Sequence, residues 1–179
     1  PRLISGELLG PDRPIILKLI DVPSRMDVLK GVAMELEDMA SPLLHNVIIT
    51  DSLQEGFADS EFAFLIGARA QDKGVERSEL LKFNTKIFID NGKALNDHAN
   101  RACKILVVGN PANTNCMISQ TYAPDLPPEN FTAMTMLDHT RSIYQLSQKI
   151  GCEVTDIQNF CVWGNHGPSM FPDCRYMTV

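Results

Sequence analysis

The sequence lacks the features that define several classes of protein. Its five cysteines are odd in number and contain no CxxC pair, so neither a disulfide framework nor a metal site is predicted. The cysteines stand beside apolar residues, as small core groups do. We therefore expect a reducing, cytoplasmic environment and no bound metal.

Long apolar runs and clusters of cations are also lacking. The longest apolar stretches, Ile15 to Val22 and Ile105 to Val108, are far shorter than the ~20 residues that a membrane-spanning helix needs. Pro1 to Pro14 is broken by Gly and Pro and does not resemble a signal peptide. The formal net charge of −6, without clustered Lys or Arg, disfavours nucleic acid. We predict a small-molecule substrate and neither a membrane nor a nucleic-acid partner.

Short apolar runs alternate with segments of helical periodicity along the chain. Strands are predicted at 14–22, 47–50, 62–66, 105–108, 131–134 and 160–163. Helices are predicted at 26–40, at 76–103 with an interruption near Gly92, at 113–122 and at 138–150. This alternation predicts an α/β fold with a doubly wound, parallel, Rossmann-type sheet that binds ligands at the carboxyl ends of its strands.

An acidic residue, Asp21, ends the first predicted strand. A carboxylate there can accept both ribose hydroxyls of an adenine dinucleotide and would repel the extra phosphate of NADP, so it favours NAD; alternatively it begins a turn. A Gly-rich turn normally lies ~20 residues earlier, and no GxGxxG spacing occurs before Asp21. Because the first strand of such a sheet is central, we expect a longer native polypeptide that supplies it.

The Pro-rich turn Ala123 to Asn130 marks a change of direction and is the best candidate for a domain boundary. We predict a dinucleotide-binding domain at 1–135, lacking its first strand and Gly-rich loop. The remaining residues, 136–179, are predicted to begin the catalytic, substrate-binding domain.

Polar residues follow three of the predicted elements. Asn110 stands before Pro111 directly after a strand, where the peptide bond is a candidate for cis geometry and the amide can meet a substrate hydroxyl or ribose. Asp138 and Arg141 are three residues apart at the start of a helix, and His166 follows an apolar strand. Taken singly these residues fit an ordinary turn, a helix cap, a solvated cation and a structural histidine.

Together they fit the oxidation of a secondary alcohol. His166 would take the hydroxyl proton, and Asp138 would orient the imidazole and stabilise the imidazolium. Arg141 would hold a carboxylate through two parallel hydrogen bonds. The substrate predicted from this set is a 2-hydroxy or 2-keto acid.

Three segments that contain these residues, VVGNPANTNC, LDHTR and WGNH, resemble signature segments of cytosolic-type malate dehydrogenases. The resemblance extends to LIDVP, GVAMELEDMASPLL and GVERSELLKFNTKIF, and so over nearly the whole chain. It implies that His166 is the proton acceptor, that Asp138 is its partner and that Arg141 binds the substrate 1-carboxylate. It also implies that Asn110 contacts substrate and cofactor, that the subunits form a homodimer, and that the C-terminal part of the subunit is missing here. At the NAD site it places Asp21, Gly67, Asn84, Asn91, Val108, Gly109 and Asn110, and Asn91 replaces a usual Gln.

The segment Gly67 to Arg77 departs from the family, in which it forms a loop that closes over substrate. Arg77 is retained as a substrate-binding residue, but Ala70, Gln71 and Asp72 stand where malate dehydrogenases usually carry Pro-Arg-Arg. The first of those arginines binds the second carboxylate of malate. Losing a charge-assisted bond worth ~1.5 to 3 kcal/mol would cut discrimination roughly ten- to a hundredfold.

Three hypotheses follow for the function. We favour NAD-dependent interconversion of malate and oxaloacetate with weakened substrate recognition. The second is a dehydrogenase for another 2-hydroxy acid, since lactate dehydrogenases carry Gln at the position of Gln71. The third is a catalytically impaired paralogue that serves as a structural subunit of a larger assembly, such as a ciliary or flagellar axoneme.

Overall fold

A computed structural model describes residues 1–68, 77–164 and 169–179, and describes 77–83 by their backbone alone. Its strands are β1 (Ile15–Ile20), β2 (Leu44–Thr50), β3 (Phe62–Leu65), β4 (Lys104–Val107), β5 (Phe131–Ala133), β6 (Cys161–Trp163) and β7 (Phe171–Asp173). Its helices are α1 (Met26–Asp38), α2 (Leu53–Phe57), α3 (Arg77–His98), α4 (Ala112–Thr121) and α5 (Met136–Ile150). Short 3-10 turns occupy Pro23–Arg25 and Pro128–Asn130.

Two groups of strands pair in parallel, which confirms the predicted α/β class. β1 pairs with β2, and β4 lies between β3 and β5. In the described parts of the chain no strand pairing joins these two groups. β6 and β7 form an antiparallel pair of their own.

The main core lies on the three-stranded sheet, against α3 and α4. β3 and β4 alternate exposed or half-buried residues with buried ones, so that one face of the sheet supplies the core. Phe88 and Leu95 of α3 are fully buried. Burying one such side chain stabilises the fold by about 1.5 to 3 kcal/mol. The core cluster contains Phe57, Ala63, Leu65, Phe88, Leu95, Cys103, Ile105, Val107, Cys116, Ala123, Leu126 and Phe131.

The cysteines divide into two kinds of environment. Cys103 and Cys116 are buried in the core, as predicted, and burial raises the pKa of both thiols, that of Cys103 to about 11. Cys161 and Cys174 are exposed, so the prediction that the cysteines are small core groups is wrong for these two. Adjacent apolar residues did not bury them, because a short strand such as β6 exposes alternate positions.

Three features of the fold differ from the prediction. α3 runs without interruption through Gly92, because Gly92 lies where α3 meets α4 and needs no side chain there. The five-residue helix α2 and the three-residue strand β7 were not predicted, since both are too short for a periodic pattern.

In the parts of the chain that the structure describes, no helix has the length and apolar character to cross a membrane.

Gly92 gives a direct test of the packing between α3 and α4. A Cβ atom at Gly92 would lie 2.5 Å from the backbone oxygen of Ser119 and 3.1 Å from the Tyr122 Cβ. Alanine favours a helix over glycine by about 0.8 to 1 kcal/mol, but overpacking typically costs 1 to 3 kcal/mol. We therefore expect Gly92→Ala to lower the free energy of unfolding of the full-length protein by about 1 kcal/mol. Denaturant titration measures this.

Gly31 offers a matched control in the middle of α1. A Cβ at Gly31 would meet no atom within 4 Å, so Gly31→Ala should stabilise the protein by the helix preference alone. Equal effects of the two substitutions would contradict the close packing at Gly92.

Candidate active site

The carboxyl ends of β3, β4 and β5 meet at one edge of the sheet. The backbone N–H groups of Val108 and Gly109 each donate to the Leu65 oxygen at 3.0 Å. The Met134 N–H donates to the Val107 oxygen at 2.9 Å. Residues that follow these strands therefore share the edge at which parallel sheets bind ligands.

Glycine is required at position 109 by close packing. A Cβ there would lie 2.8 Å from Phe88 Cζ and 3.2 Å from the Ile66 oxygen. Gly109 thus allows the end of β4 to approach both α3 and the chain leaving β3. Gly67 has open space around its Cα, with no atom within 4 Å of a built Cβ, and so leaves room at the edge.

Two buried asparagines hold the turn that carries Asn110. The Asn110–Pro111 peptide is cis, which confirms the predicted geometry. Asn84, buried on α3, directs its Nδ2 to the Asn110 oxygen at 3.5 Å. Asn115, fully buried on α4, donates through Nδ2 to the Gly109 oxygen at 2.9 Å. The side chain of Asn110 itself is exposed and can meet a ligand.

Asn115 was missed by sequence reasoning. It lies in the PANTNC segment and is a second buried amide behind the turn, but an asparagine inside a predicted helix carries no signal of burial. Its Oδ1 has no hydrogen-bond partner in the described parts of the chain. Asn91, on the same helix as Asn84, is buried as well, so the structure places both predicted cofactor residues of α3 away from bulk solvent.

Asp21 follows β1, at the carboxyl end of the other parallel pair. Its Oδ1 accepts the Val22 N–H at 2.8 Å, and its Oδ2 lies 4.0 Å from Arg25 Nε. The carboxylate is partly exposed, which leaves acceptor capacity for the two hydroxyls of a ribose. Its position after a parallel strand fits the adenosine half of NAD.

The first two turns of α5 carry Asp138 and Arg141. Asp138 is 5% exposed, and its backbone N–H donates to the Thr135 oxygen at 3.1 Å. Thr135 is the N-cap and makes no side-chain capping bond, so Asp138 lies inside the helix and does not cap it. The guanidinium of Arg141 is exposed, and no hydrogen bond or ion pair joins it to a described residue. The start of α5 thus presents a buried carboxylate and an available cation three residues apart.

The remaining predicted site residues fall partly outside the described structure. His166 and Gln71 lie in the gaps 165–168 and 69–76, as do Ala70 and Asp72. Arg77 begins α3, and its side chain is outside the described part. β6 ends at Trp163, the description of the chain reaches Gly164 and resumes at Ser169, and β7 begins at Phe171. The roles of His166, Gln71 and Arg77 stay predictions.

Two family models match successive parts of the chain. The family model of the lactate/malate dehydrogenase NAD-binding domain matches residues 3–132. The model of the α/β C-terminal domain of the same enzymes matches residues 135–179.

Solved structures of two enzymes show the same fold. Malate dehydrogenase of Naegleria fowleri is 46% identical, with a TM-score of 0.97 over 99% of this chain and 55% of that one. Trichomonas vaginalis lactate dehydrogenase with NADH and oxamate is 40% identical, with a TM-score of 0.91 over 98% of this chain and 53% of that one. An apo form of the latter enzyme gives a TM-score of 0.93 at 40% identity, over 98% and 52%.

The chain therefore spans about half the length of the solved structures that it matches. Two domain models of one family match successive parts of the chain, and the first is that of an NAD-binding domain. The chain belongs to the lactate/malate dehydrogenase family.

Proposed function

We propose that the full-length protein transfers a hydride between NAD and a small 2-hydroxy acid, with malate and oxaloacetate as its favoured pair. The observation that carries the proposal is the start of α5, where buried Asp138 and exposed Arg141 are three residues apart. A carboxylate removed from water beside an available guanidinium suits a site that orients a base and binds an anion. Family membership supplies the hydride chemistry.

NAD, when bound, accepts a hydride from the carbon of the alcohol. We assign Asp21 to its ribose and the Asn110 turn to the part nearer the substrate, since both follow parallel strands. Asn84 and Asn115 keep that turn in place through its backbone oxygens. Their burial makes the turn rigid, which favours a fixed distance between cofactor and substrate.

His166 takes the hydroxyl proton during oxidation and returns it during reduction. Asp138 holds the imidazole in the tautomer that presents a free nitrogen to the substrate, and its charge stabilises the imidazolium. Arg141 binds the carboxylate beside the reacting carbon through two parallel hydrogen bonds. The exposed Asn110 amide donates to the substrate oxygen.

Gln71 determines which acid the site prefers. A neutral amide there forms no ion pair with the second carboxylate of malate, and Asp72 beside it adds a repulsive charge. The alternative is thus a dehydrogenase for a monocarboxylic acid such as lactate, and the similarity to a lactate dehydrogenase is the observation that favours it. No observation favours a purely structural subunit, and we do not propose one.

Steady-state oxidation of NADH by the full-length protein, with oxaloacetate and then pyruvate, tests both the proposal and the alternative. We expect turnover of oxaloacetate, and a rise of roughly ten- to a hundredfold in kcat/KM for oxaloacetate in Gln71→Arg, because the new guanidinium binds the second carboxylate. Gln54→Arg adds the same charge on the exposed surface of α2 and should leave kcat/KM unchanged for both oxaloacetate and pyruvate.

Each outcome of this experiment decides a specific point. Turnover of pyruvate in preference to oxaloacetate would replace malate by lactate as the favoured substrate. If neither acid is reduced although NADH binds, the proposed activity is wrong.

We further propose a homodimer in a reducing, cytoplasmic environment. α1 exposes Val28 and Val32, and its C-cap residue Met39 continues them at helical spacing; such an apolar stripe is typical of a surface that a second subunit covers. The buried free thiols Cys103 and Cys116 fit a reducing compartment.

A further inference from the structure

Asp173, at the end of β7, is a buried carboxylate with four hydrogen bonds and no part in the proposed chemistry. It is 5% exposed. Its Oδ1 accepts from Arg175 Nε at 2.9 Å and from the Arg175 backbone N–H at 3.1 Å. Its Oδ2 accepts from Arg175 Nη2 at 2.7 Å and from Trp163 Nε1 at 2.9 Å. A carboxylate so fully paired is part of a built structure.

These bonds join the two strands of the β6–β7 pair. Trp163 is the last residue of β6 and pairs with Phe171, while Asp173 pairs with Cys161. The bond from the Trp163 indole to Asp173 therefore crosses the pair diagonally and fixes the end of β6 against the end of β7. Arg175 extends the same attachment to the chain beyond β7.

The two described residues on either side of positions 165–168 lie close together. Gly164 has a φ of +89°, and a Cβ built on it would lie 2.6 Å from the Ser169 oxygen. Gly164 and Ser169 are thus in close approach, and they are the described residues that flank positions 165–168. His166 is one of those four positions, so both ends of its segment are set by the strand pair that Asp173 fastens.

The charge of Asp173 is constant over the working range of an enzyme. The Arg175 side chain first, then its backbone N–H and the Trp163 indole, holds the pKa of this carboxyl well below its usual range. Since the folded pKa lies below the unfolded one, its contribution to stability is present above an unfolded pKa of about 4 and is lost only in stronger acid. Asp173 therefore exchanges no proton during turnover and acts through position.

We infer that Asp173 is a positioning residue, which fixes the end of β6 that leads into the His166 segment by holding Trp163, while Arg175 keeps the Asp173 carboxylate in place. The inference rests on the proposed function, because it requires His166 to be the proton acceptor. A displacement of about 1 Å at a reacting group can cost a hundredfold in rate. Weakening the hydrogen bonds of Asp173 should therefore lower kcat.

The test is Asp173→Asn in the full-length protein. Asparagine keeps the shape and one acceptor oxygen but loses the charge and the pair of hydrogen bonds from the guanidinium. We expect kcat for oxaloacetate reduction to fall roughly ten- to a hundredfold, with an unchanged Kd for NADH. Trp163→Phe keeps the ring and removes the indole donor, and should lower kcat less. Arg175→Lys keeps the charge and removes the planar guanidinium that donates two hydrogen bonds to the carboxylate.

A pH profile separates positioning from loss of folded protein. In the proposed mechanism the Asp138 carboxylate stabilises the imidazolium of His166, and a misplaced His166 loses part of that stabilisation. For malate oxidation, which needs the neutral imidazole, the acidic limb of kcat/KM should therefore move to lower pH in Asp173→Asn. NADH titration counts the folded sites, and rates are expressed per site. Loss of folded protein alone would lower the number of sites and leave both the rate per site and the pH profile unchanged.

Asp156→Asn serves as the control, since Asp156 is exposed and the one described hydrogen bond of its side chain, from the Glu153 N–H at 3.1 Å, survives the change. It should behave as the wild type does. An active wild type with an equally active Asp173→Asn, or with a loss confined to the number of folded sites, would overturn the inference alone. If Asp173→Asn does not fold, Trp163→Phe and Arg175→Lys decide by the same two criteria. A wild type that reduces neither acid would overturn the proposed function and this inference with it.

Discussion

Asp138→Asn should lower kcat for malate oxidation about ten-thousandfold while the protein still folds and binds NADH. Asp138 is 5% exposed in the first turn of α5, where its carboxylate is removed from water. Asparagine has the same shape, but its amide presents either a donor or a single neutral acceptor to the imidazole. It therefore favours the wrong tautomer of His166 and gives no charge to stabilise the imidazolium.

A matched control separates this loss from the loss of an acidic residue at a helix N-terminus. Asp27 also lies in the first turn of a helix, α1, but is exposed and paired with Lys30 at 2.9 Å. Asp27→Asn removes the favourable interaction with the helix dipole and should leave kcat unchanged. Asp138→Asn should lose the same dipole interaction together with nearly all activity.

The double variant with His166→Asn makes the test sharper. Residues that act as one unit are strongly non-additive, so the double variant should be about as slow as His166→Asn alone. Stopped-flow and steady-state rates with malate, over a range of NAD concentrations, measure all three variants. A kcat of Asp138→Asn close to the wild-type value would show that this carboxylate is structural.

The strands of this protein could be predicted because their apolar runs are short and clearly bounded. Ile105 and Val107 are buried on one face of β4, as period-two alternation requires. Amphipathic spacing predicted α5 to within two residues at its start, and Gly151 ends it in the left-handed conformation, at a φ of +79°. Periodicity therefore gave both the α/β class and most element types.

The interruption expected in α3 shows where local preference fails. Glycine weakens an isolated helix, and this preference predicted a break at Gly92. The structure continues the helix because α4 approaches so closely that only glycine fits, with Ser119 and Tyr122 against it. That contact joins residues far apart in the sequence, and no local pattern records it.

The candidate site shows the same contrast between local and tertiary information. The places of Asp138, Arg141 and Asn110 in the fold could be predicted because each stands directly after a strand or at the start of a helix, where an α/β fold binds its ligands. Asn115 and Asp173 could not, since their importance depends on burial and on partners supplied by the tertiary fold. Buried polar side chains with local partners have no spacing that distinguishes them from surface residues.

The second large effect is expected at Arg141. Arg141→Gln should lower kcat/KM for oxaloacetate about a thousandfold, because two charge-assisted hydrogen bonds to the substrate carboxylate are lost together. Arg141→Lys keeps the charge but not the planar fork, and should recover part of that loss. The guanidinium is exposed and has no partner in the described part of the chain, so its removal should cost little stability.

Lys149→Gln is the matched control, since it removes an exposed cation from the last turn of the same helix. It should change the unfolding free energy by a few tenths of a kcal/mol through the helix dipole and leave kcat/KM unchanged. Titration with a non-reacting 2-keto acid analogue in the presence of NADH should show weakened binding in Arg141→Gln alone. Equal binding and equal kcat/KM in the two variants would show that Arg141 is a solvated residue of the helix surface, and the carboxylate site would then have to lie elsewhere.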